Sequence, residues 1–274
     1  MWKREQVEYW SISERRVLEI IVFLVGLLCL FAAVVALLEV GRHLGIRKRA
    51  KDPEGATKGL GSLEGAVFGL LGLLIAFTFS GAADRFNHRR ALIVEEANAI
   101  GRAYMRLDVL PAAAQPELKA DFRRYLDARL DYYRKLSDPN GAEREFAKAT
   151  ELQGIIWTKA VAASQQTSNP AVMTLLLTAL NEMIDMTTVR TAALQTHPPL
   201  TIYIMLIGLV LAAALFAGYA MAESNDRSLI HVLGFALLMT AAIYVIVDLE
   251  FPRRGLIRLD AADKILVDVR REMK

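Results

Sequence analysis

The densest run of chemically capable side chains is ADRFNHRRALIVEEANAIGRAYMR, Ala83 to Arg106. Asp84, Glu95 and Glu96 are the kinds of group that move protons, with Asn98 beside them as a hydrogen-bonding amide, and Arg85, Arg89 and Arg90 are the kinds that attract anions. Acid–base catalysis would need a nucleophile, a metal set or a glycine-rich phosphate loop beside them, and none accompanies this run. The histidines His43, His88, His197 and His231 are scattered without ligand spacing, and the single cysteine, Cys29, sits in an apolar run. Neither a metal centre nor a disulfide framework is expected, no cofactor is expected, and the chain does not read as an enzyme. The charges are left with electrostatic work: biasing ions, or pairing between helices. Arg85 with Asp84, and Arg102 with Glu95 or Glu96 of a neighbouring subunit, are the candidate pairs.

The elements that carry this run are set by hydropathy. Hydrophobic residues make up 54% and charged residues 23% of the chain, at a mean hydropathy of +0.30. That is too apolar for most soluble domains and too charged for a purely intramembrane protein, so a multi-pass membrane protein with a polar helical part is expected. The net charge of +3 is accounted for by Lys and Arg flanking the spans, and no nucleic acid is expected as a partner. Met1 to Arg16 is polar and mixed in charge, with Trp2, Tyr9 and Trp10 suited to a membrane interface, so the apolar run after it reads as a retained span rather than a cleaved signal.

Four spans follow: Val17 to Val40, about Gly61 to Ala83, Leu200 to Met221, and Leu229 to Val247. The first has Glu19 and Glu39 at its ends, within snorkelling reach of the headgroups. Gly41 to Leu60 reads as a basic connecting loop. The last two spans are joined by the short Ala222 to Ser228 and must run antiparallel. Between spans two and three, Asp84 to Gln195 keeps helical periodicity broken at Pro111, at Ser137 to Gly141 and at Asn169-Pro170. The fold class is therefore an all-α membrane protein, with a helical extramembrane domain inserted between spans two and three. The segments are 1–16 interfacial, 17–83 spans one and two, 84–198 helical domain, 199–249 spans three and four, and 250–274 tail. Parity puts both termini and the helical domain on one side. Basic residues gather on both sides, so the positive-inside rule does not fix which side that is.

Span two is the informative one. No proline separates it from the charged run, so one helix is expected from Gly61 to Arg106, starting in the membrane and leaving it. Gly61, Gly65, Gly69, Gly72, Ala76, Ser80 and Ala83 recur at threes and fours, a stripe of small residues that lets helix backbones approach closely in lipid. Leu70, Leu73, Leu74 and Phe77 lie on a neighbouring arc. Two readings stand side by side: a ring of these helices around an axis, narrowed by the bulky side chains, or packing against the chain's own other spans. Arg85, Arg89 and Arg90 would then be a charged vestibule or a snorkelling belt at the interface, and Glu95 and Glu96 would bring the opposite sign further along.

Two spans, a long helical insertion, two further spans and a tail resemble the bestrophin architecture. Within LLGLLIAFTFSGAADRFNHRRALIVEEANAIGRA (Leu70 to Ala103), Leu73 and Phe77 match the neck positions, Arg85-Phe86 the Arg-aromatic pair, and Glu95, Glu96 and Asn98 the later motif. VEEANAIG and the ending DL-x-x-PRRGLI (Asp248 to Ile257) are similar to those of bacterial bestrophin-like proteins of uncharacterised function. The resemblance implies a homopentamer in the inner cell membrane, with span two lining one axial pore. Its hydrophobic neck would be Gly69, Leu73 and Phe77, and its vestibule Arg85, Arg89, Arg90, Glu95, Glu96 and Asn98. Gly61, Gly65, Gly72, Ala76 and Ser80 would pack the helices, lipid and the permeating ion would be the partners, and the ion would be an anion such as chloride. Gly69 stands where bestrophins carry a bulky residue, which implies a shorter or wider neck. AESNDRS and DLEFPRRG are too sparse for a calcium cage of about six to eight oxygens. The alternative reading is a non-conducting scaffold or sensor whose helical domain binds a partner.

Overall fold

The computed structural model describes residues 2–51, 60–136, 138–167, 169–223, 229–252 and 255–273, with the backbone alone for 2–20, 60, 223 and 260. The interfacial side chains read at Trp2, Tyr9 and Trp10, the loop at 224–228 and Arg253-Arg254 lie outside the described residues. Eight α-helices follow one another: α1 Trp2–Lys51, α2 Leu60–Met105, α3 Gln115–Arg134, α4 Pro139–Gln165, α5 Pro170–Gln195, α6 Leu200–Ala220, α7 Leu229–Glu250 and α8 Asp260–Glu272. Among the described residues there is no strand, as the all-α reading expects. The helical stretches Ile21–Lys51, Gly61–Val109, Pro170–Ala220 and Leu229–Glu250 are long and apolar enough to cross a membrane. In the third, the Pro198-Pro199 break separates α5 from α6, which holds the apolar run Leu200–Ala220.

The connecting loop expected at Gly41 to Leu60 is corrected in its first half: α1 runs unbroken to Lys51. No proline precedes Pro53 in this part of the chain, and the glycines Gly41 and Gly45 are held by packing rather than left to unwind the helix. Pro111 likewise does not end α2 directly; the helix closes at Met105 and tightens into a 3₁₀ turn, Arg106–Val109. Asn169 caps α5 as its type suggests, its side-chain oxygen accepting from the Ala171 N–H at 3.0 Å, with Pro170 in the first turn.

The chain divides into two compact units, 19–86 with 197–257, and 1–18 with 87–196 and 258–274. In the first, the cores of α1, α2, α6 and α7 meet through Val34, Leu38, Leu71, Ala82, Val210, Ala213, Ala214, Ala236 and Ile246. Alanines sit among the larger aliphatics here, and small residues matter at such contacts because lipid is as apolar as leucine, so spans gain from close packing and not from escaping water. A Cβ on Gly218 would lie 2.0 Å from the Leu38 carbonyl oxygen, and one on Gly41 would lie 2.0 Å from that of Leu215. α1 and α6 therefore touch backbone to backbone. After α7 the chain folds back so that the buried Asp248 carboxylate accepts from the Leu256 and Ile257 N–H groups at 3.1 and 3.0 Å.

The second unit is a helical bundle. Ile93, Ala97 and Ile100 of α2 bury with Leu118, Phe122, Tyr125 and Leu126 of α3, Ala149, Leu152 and Ile156 of α4, and Leu176, Ala179, Leu180 and Met183 of α5. On α5 the buried positions recur at helical spacing, and Leu175, next to buried Leu176, is exposed. α8 uses its apolar side, Leu266 included, for this core, and Arg270 forms a two-pronged ion pair with Asp127 of α3 at 2.8 and 3.0 Å.

Candidate functional site

α2 is 46 residues long, which at 1.5 Å per residue is about 69 Å, more than twice the hydrocarbon thickness of a bilayer. It contributes its first part to one unit and its second part, from Asn87, to the other. One arc of the helix carries the buried side chains Leu71, Ala82, Arg89, Ile93, Glu96 and Ile100. The opposite arc is open over its whole length. Leu73 is 52% and Phe77 66% exposed, as are large apolar side chains on the outward faces of the other spans, Leu28, Ile204 and Leu238 among them. Gly61, Gly65, Gly69 and Gly72 have nothing within 4 Å of where a Cβ would stand, and Ala76 and Ser80 are exposed beside them. Among the described residues, then, nothing lies against these four glycines, and the bulky residues next to them are half or more exposed.

The 3.6-residue period carries this arc into the charged half. Asp84, Ala91, Glu95, Asn98 and Arg102 are exposed along it. The charged residues read together in the sequence thus separate into two sets. Arg90, Glu95 and Asn98 are exposed. Arg85, Arg89 and Glu96 are engaged within the chain.

Arg85 donates from Nε to Glu250 Oε2 at 2.8 Å, and that fully buried carboxylate also meets His197 Nδ1 at 2.9 Å. Within the chain Arg85 thus pairs with Glu250, and Asp84 is exposed. Arg89 is only 4% exposed. Its Nε donates to the Ala193 carbonyl at 3.1 Å and its Nη2 to that of Thr196 at 2.8 Å, satisfying the end of α5 where the helix has run out of N–H partners. Arg102 pairs with Glu182 of α5 at 3.1 Å.

Glu96 is fully buried in the helical bundle. Arg129 of α3 reaches it at 2.8 Å from Nε and 2.7 Å from Nη2, Tyr133 donates to it at 3.1 Å, and Arg190 of α5 donates to its second oxygen. The Arg190 guanidinium lies over the Tyr133 ring, 3.7 Å from its centre, a cation–π contact. Burial opposes the charge on Glu96, but the two guanidiniums outweigh it and hold its carboxyl below the ordinary range. Burial and the Glu96 charge push the Tyr133 hydroxyl well above its usual value, so it stays a neutral donor.

Sequence reasoning missed Arg129, Arg190, Tyr133 and Glu250 as the partners. The signal was available in one case: Arg129 stands four residues from both Tyr125 and Tyr133 on a buried stripe, where a free cation is not tolerated. Among the described residues no cluster of His, Cys, Asp and Glu could hold a metal ion.

A profile of the Bestrophin-like domain matches residues 27–263. No curated protein matches in sequence. Among solved structures, a point variant of a bacterial bestrophin homologue from Klebsiella pneumoniae superposes with a TM-score of 0.66 at 14% identity, over 88% of this chain and 97% of that one. A second variant of the Klebsiella homologue, and a membrane protein variant, each give the same score over 89% of this chain and 98% of theirs.

Proposed function

The chain belongs to the bestrophin-like family, and from that membership together with the open face of α2 we propose that it assembles with copies of itself into an ion channel lined by this helix. The carrying observation is that face: four glycines over open space, with Leu73 and Phe77 half or more exposed beside them. In a single chain this face would be left to lipid. In a ring, preferably of five as the family likeness suggests, the small residues let neighbouring α2 helices approach while Leu73 and Phe77 point toward a shared axis. Stacked rings of these side chains form a hydrophobic constriction that passes ions when wetted and blocks them when dry. Gly69 adds no side chain to that neck, which is accordingly short. The charged half of α2 continues the axis as a vestibule outside the bilayer, in the helical domain of residues 84–198. The setting is a bacterial inner membrane, and no catalytic step is involved.

Liposome flux or planar-bilayer recording with purified, assembled protein tests this. Wild type is expected to conduct, and Phe77→Ala, which removes the largest side chain of the neck, to conduct more freely. Correctly assembled protein that passes no ion would overturn the channel and leave a scaffold or sensor.

A further inference from the structure

We infer that the far end of α1 is a binding surface for anionic phospholipid headgroups, formed by Arg42, Arg47, Lys48 and Lys51 and independent of whether α2 lines a pore. Hydropathy alone reads this stretch as a basic loop, and the cations of a loop are free to move away from the bilayer. The structure makes it helix. α1 continues without a break from Val40 to Lys51, about 16 Å beyond the apolar run that fills the hydrocarbon.

The extension is held in place on one side. A Cβ on Gly45 would lie 2.7 Å from the Tyr219 carbonyl oxygen and 2.6 Å from the Ala222 side chain, and Gly41 meets α6 in the same way. These glycines stand one turn apart and fix that side against the end of α6. The rest of the surface is open. His43, Leu44, Ile46, Arg47, Lys48 and Lys51 are exposed on it, with Arg42 half-buried at its edge. No acid lies between Arg42 and Lys51, and among the described residues Arg42, Arg47, Lys48 and Lys51 have no ion-pair partner. Asp52 and Glu54, which follow, leave the five cations of residues 42–51 in excess.

This pattern fits lipid better than a soluble partner. A helical side chain leaves its Cα tilted toward the helix N-terminus, which for α1 is back toward the bilayer. Arg47, Lys48 and Lys51 therefore lean to headgroup level with their stems along the helix. Leu44 and Ile46, 46% and 45% exposed, stand among the cations and suit the acyl boundary rather than water. Basic residues just beyond a span attract anionic headgroups, whose phosphates accept from guanidinium and ammonium donors. The negative end of the helix dipole is answered by Lys48, Arg49 and Lys51 of the last turn. Arg42 and Arg47 are left without that use.

Full-length protein in phosphatidylcholine nanodiscs, with and without phosphatidylglycerol, tests this. Amine acylation read by peptide mass spectrometry should slow severalfold at Lys48 and Lys51 when phosphatidylglycerol is present. It should stay unchanged at Lys148, exposed on the helical bundle. Inorganic phosphate added to phosphatidylcholine nanodiscs should give no such protection. In detergent, native mass spectrometry should show phosphatidylglycerol retained severalfold over phosphatidylcholine. Arg47→Gln with Lys48→Gln and Lys51→Gln should abolish that preference, and Lys148→Gln with Arg271→Gln should keep it. Equal acylation in the two nanodiscs would leave the surface to a soluble acidic partner and overturn the inference. Equal protection by phosphate would reduce it to a general anion site and overturn it too, as would a preference that survives the triple variant. Should that variant fail to assemble, the wild-type acylation rates still decide. None of these readouts uses current, so failure here leaves the channel reading standing.

Discussion

Glu96 and Glu95 are neighbours in sequence with opposite fates. About 100° of helical rotation puts one among Leu92, Ile93 and Ile100 and the other in the open. A buried carboxylate persists only if its charge is answered, and Arg129, Arg190 and Tyr133 answer it. Glu96→Gln keeps the shape and removes the charge, which strands two guanidiniums in the core. Breaking one side of a buried pair costs about 3–5 kcal/mol, and thermal unfolding of the purified protein should show a loss of that order. The pH dependence has a definite sign. Because the folded carboxyl titrates below its unfolded value of about 4.3, its contribution is fully present above that value. It is lost as pH falls through the lower folded value. The wild-type unfolding temperature should therefore drop more steeply in that acid window than that of Glu96→Gln, and parallel curves would rule the linkage out. Of this cluster the sequence shows each charge on an apolar stripe, but not which charges meet. Partner choice depends on how α2, α3 and α5 are set side by side, and single-helix periodicity contains no term for that.

At the scale of elements, the same limit applies to glycine. The span boundaries and the length of α2 follow from hydropathy and from where proline falls, and they were legible. So was a stripe of small residues on α2. Which glycines carry the packing inside the chain was not, because spacing marks a face and says nothing of what lies against it. Gly41, Gly45 and Gly218 bring α1 onto α6, with approaches of 2.0 Å to carbonyl oxygens at Gly41 and Gly218. Gly61, Gly65, Gly69 and Gly72 meet nothing. A pair of substitutions separates the two classes. Gly218→Ala must push the backbone of Leu38 away, and overpacking of this kind costs about 1–3 kcal/mol or more. Gly69→Ala fills open space and gains helix propensity of about 0.5–1 kcal/mol within one chain. Unfolding of the detergent-solubilised protein should be clearly earlier for Gly218→Ala and unchanged or later for Gly69→Ala. Equal losses at both positions would mean that Gly69 is packed after all, and against a second subunit.

That last outcome belongs to the whole molecule, where the open face of α2 must be covered. A chain with large apolar side chains half exposed along one helix leaves them to lipid, to water or to copies of itself, and the three differ in what stands opposite Phe77. Lipid accepts Leu73 and Phe77 within the bilayer, and water accepts Asp84 and Glu95 once α2 has left it. A ring around a hydrated axis accepts both as well, the apolar rings making the narrow part and the charged rings the wide one, so what stands opposite Phe77 must be measured. Position-specific cross-linking distinguishes these cases without any current being measured. With Cys29→Ser to remove the native thiol, Phe77→Cys and Leu73→Cys should each form subunit-to-subunit links with a short bifunctional thiol reagent, giving ladders on denaturing gels up to the full ring. Leu71→Cys, on the arc buried within the chain, should give none. Links at all three positions would indicate random collision in the membrane, and none at Leu73 and Phe77 would place the open face against lipid and remove the physical basis for the pore. The top rung of the ladder counts the subunits directly.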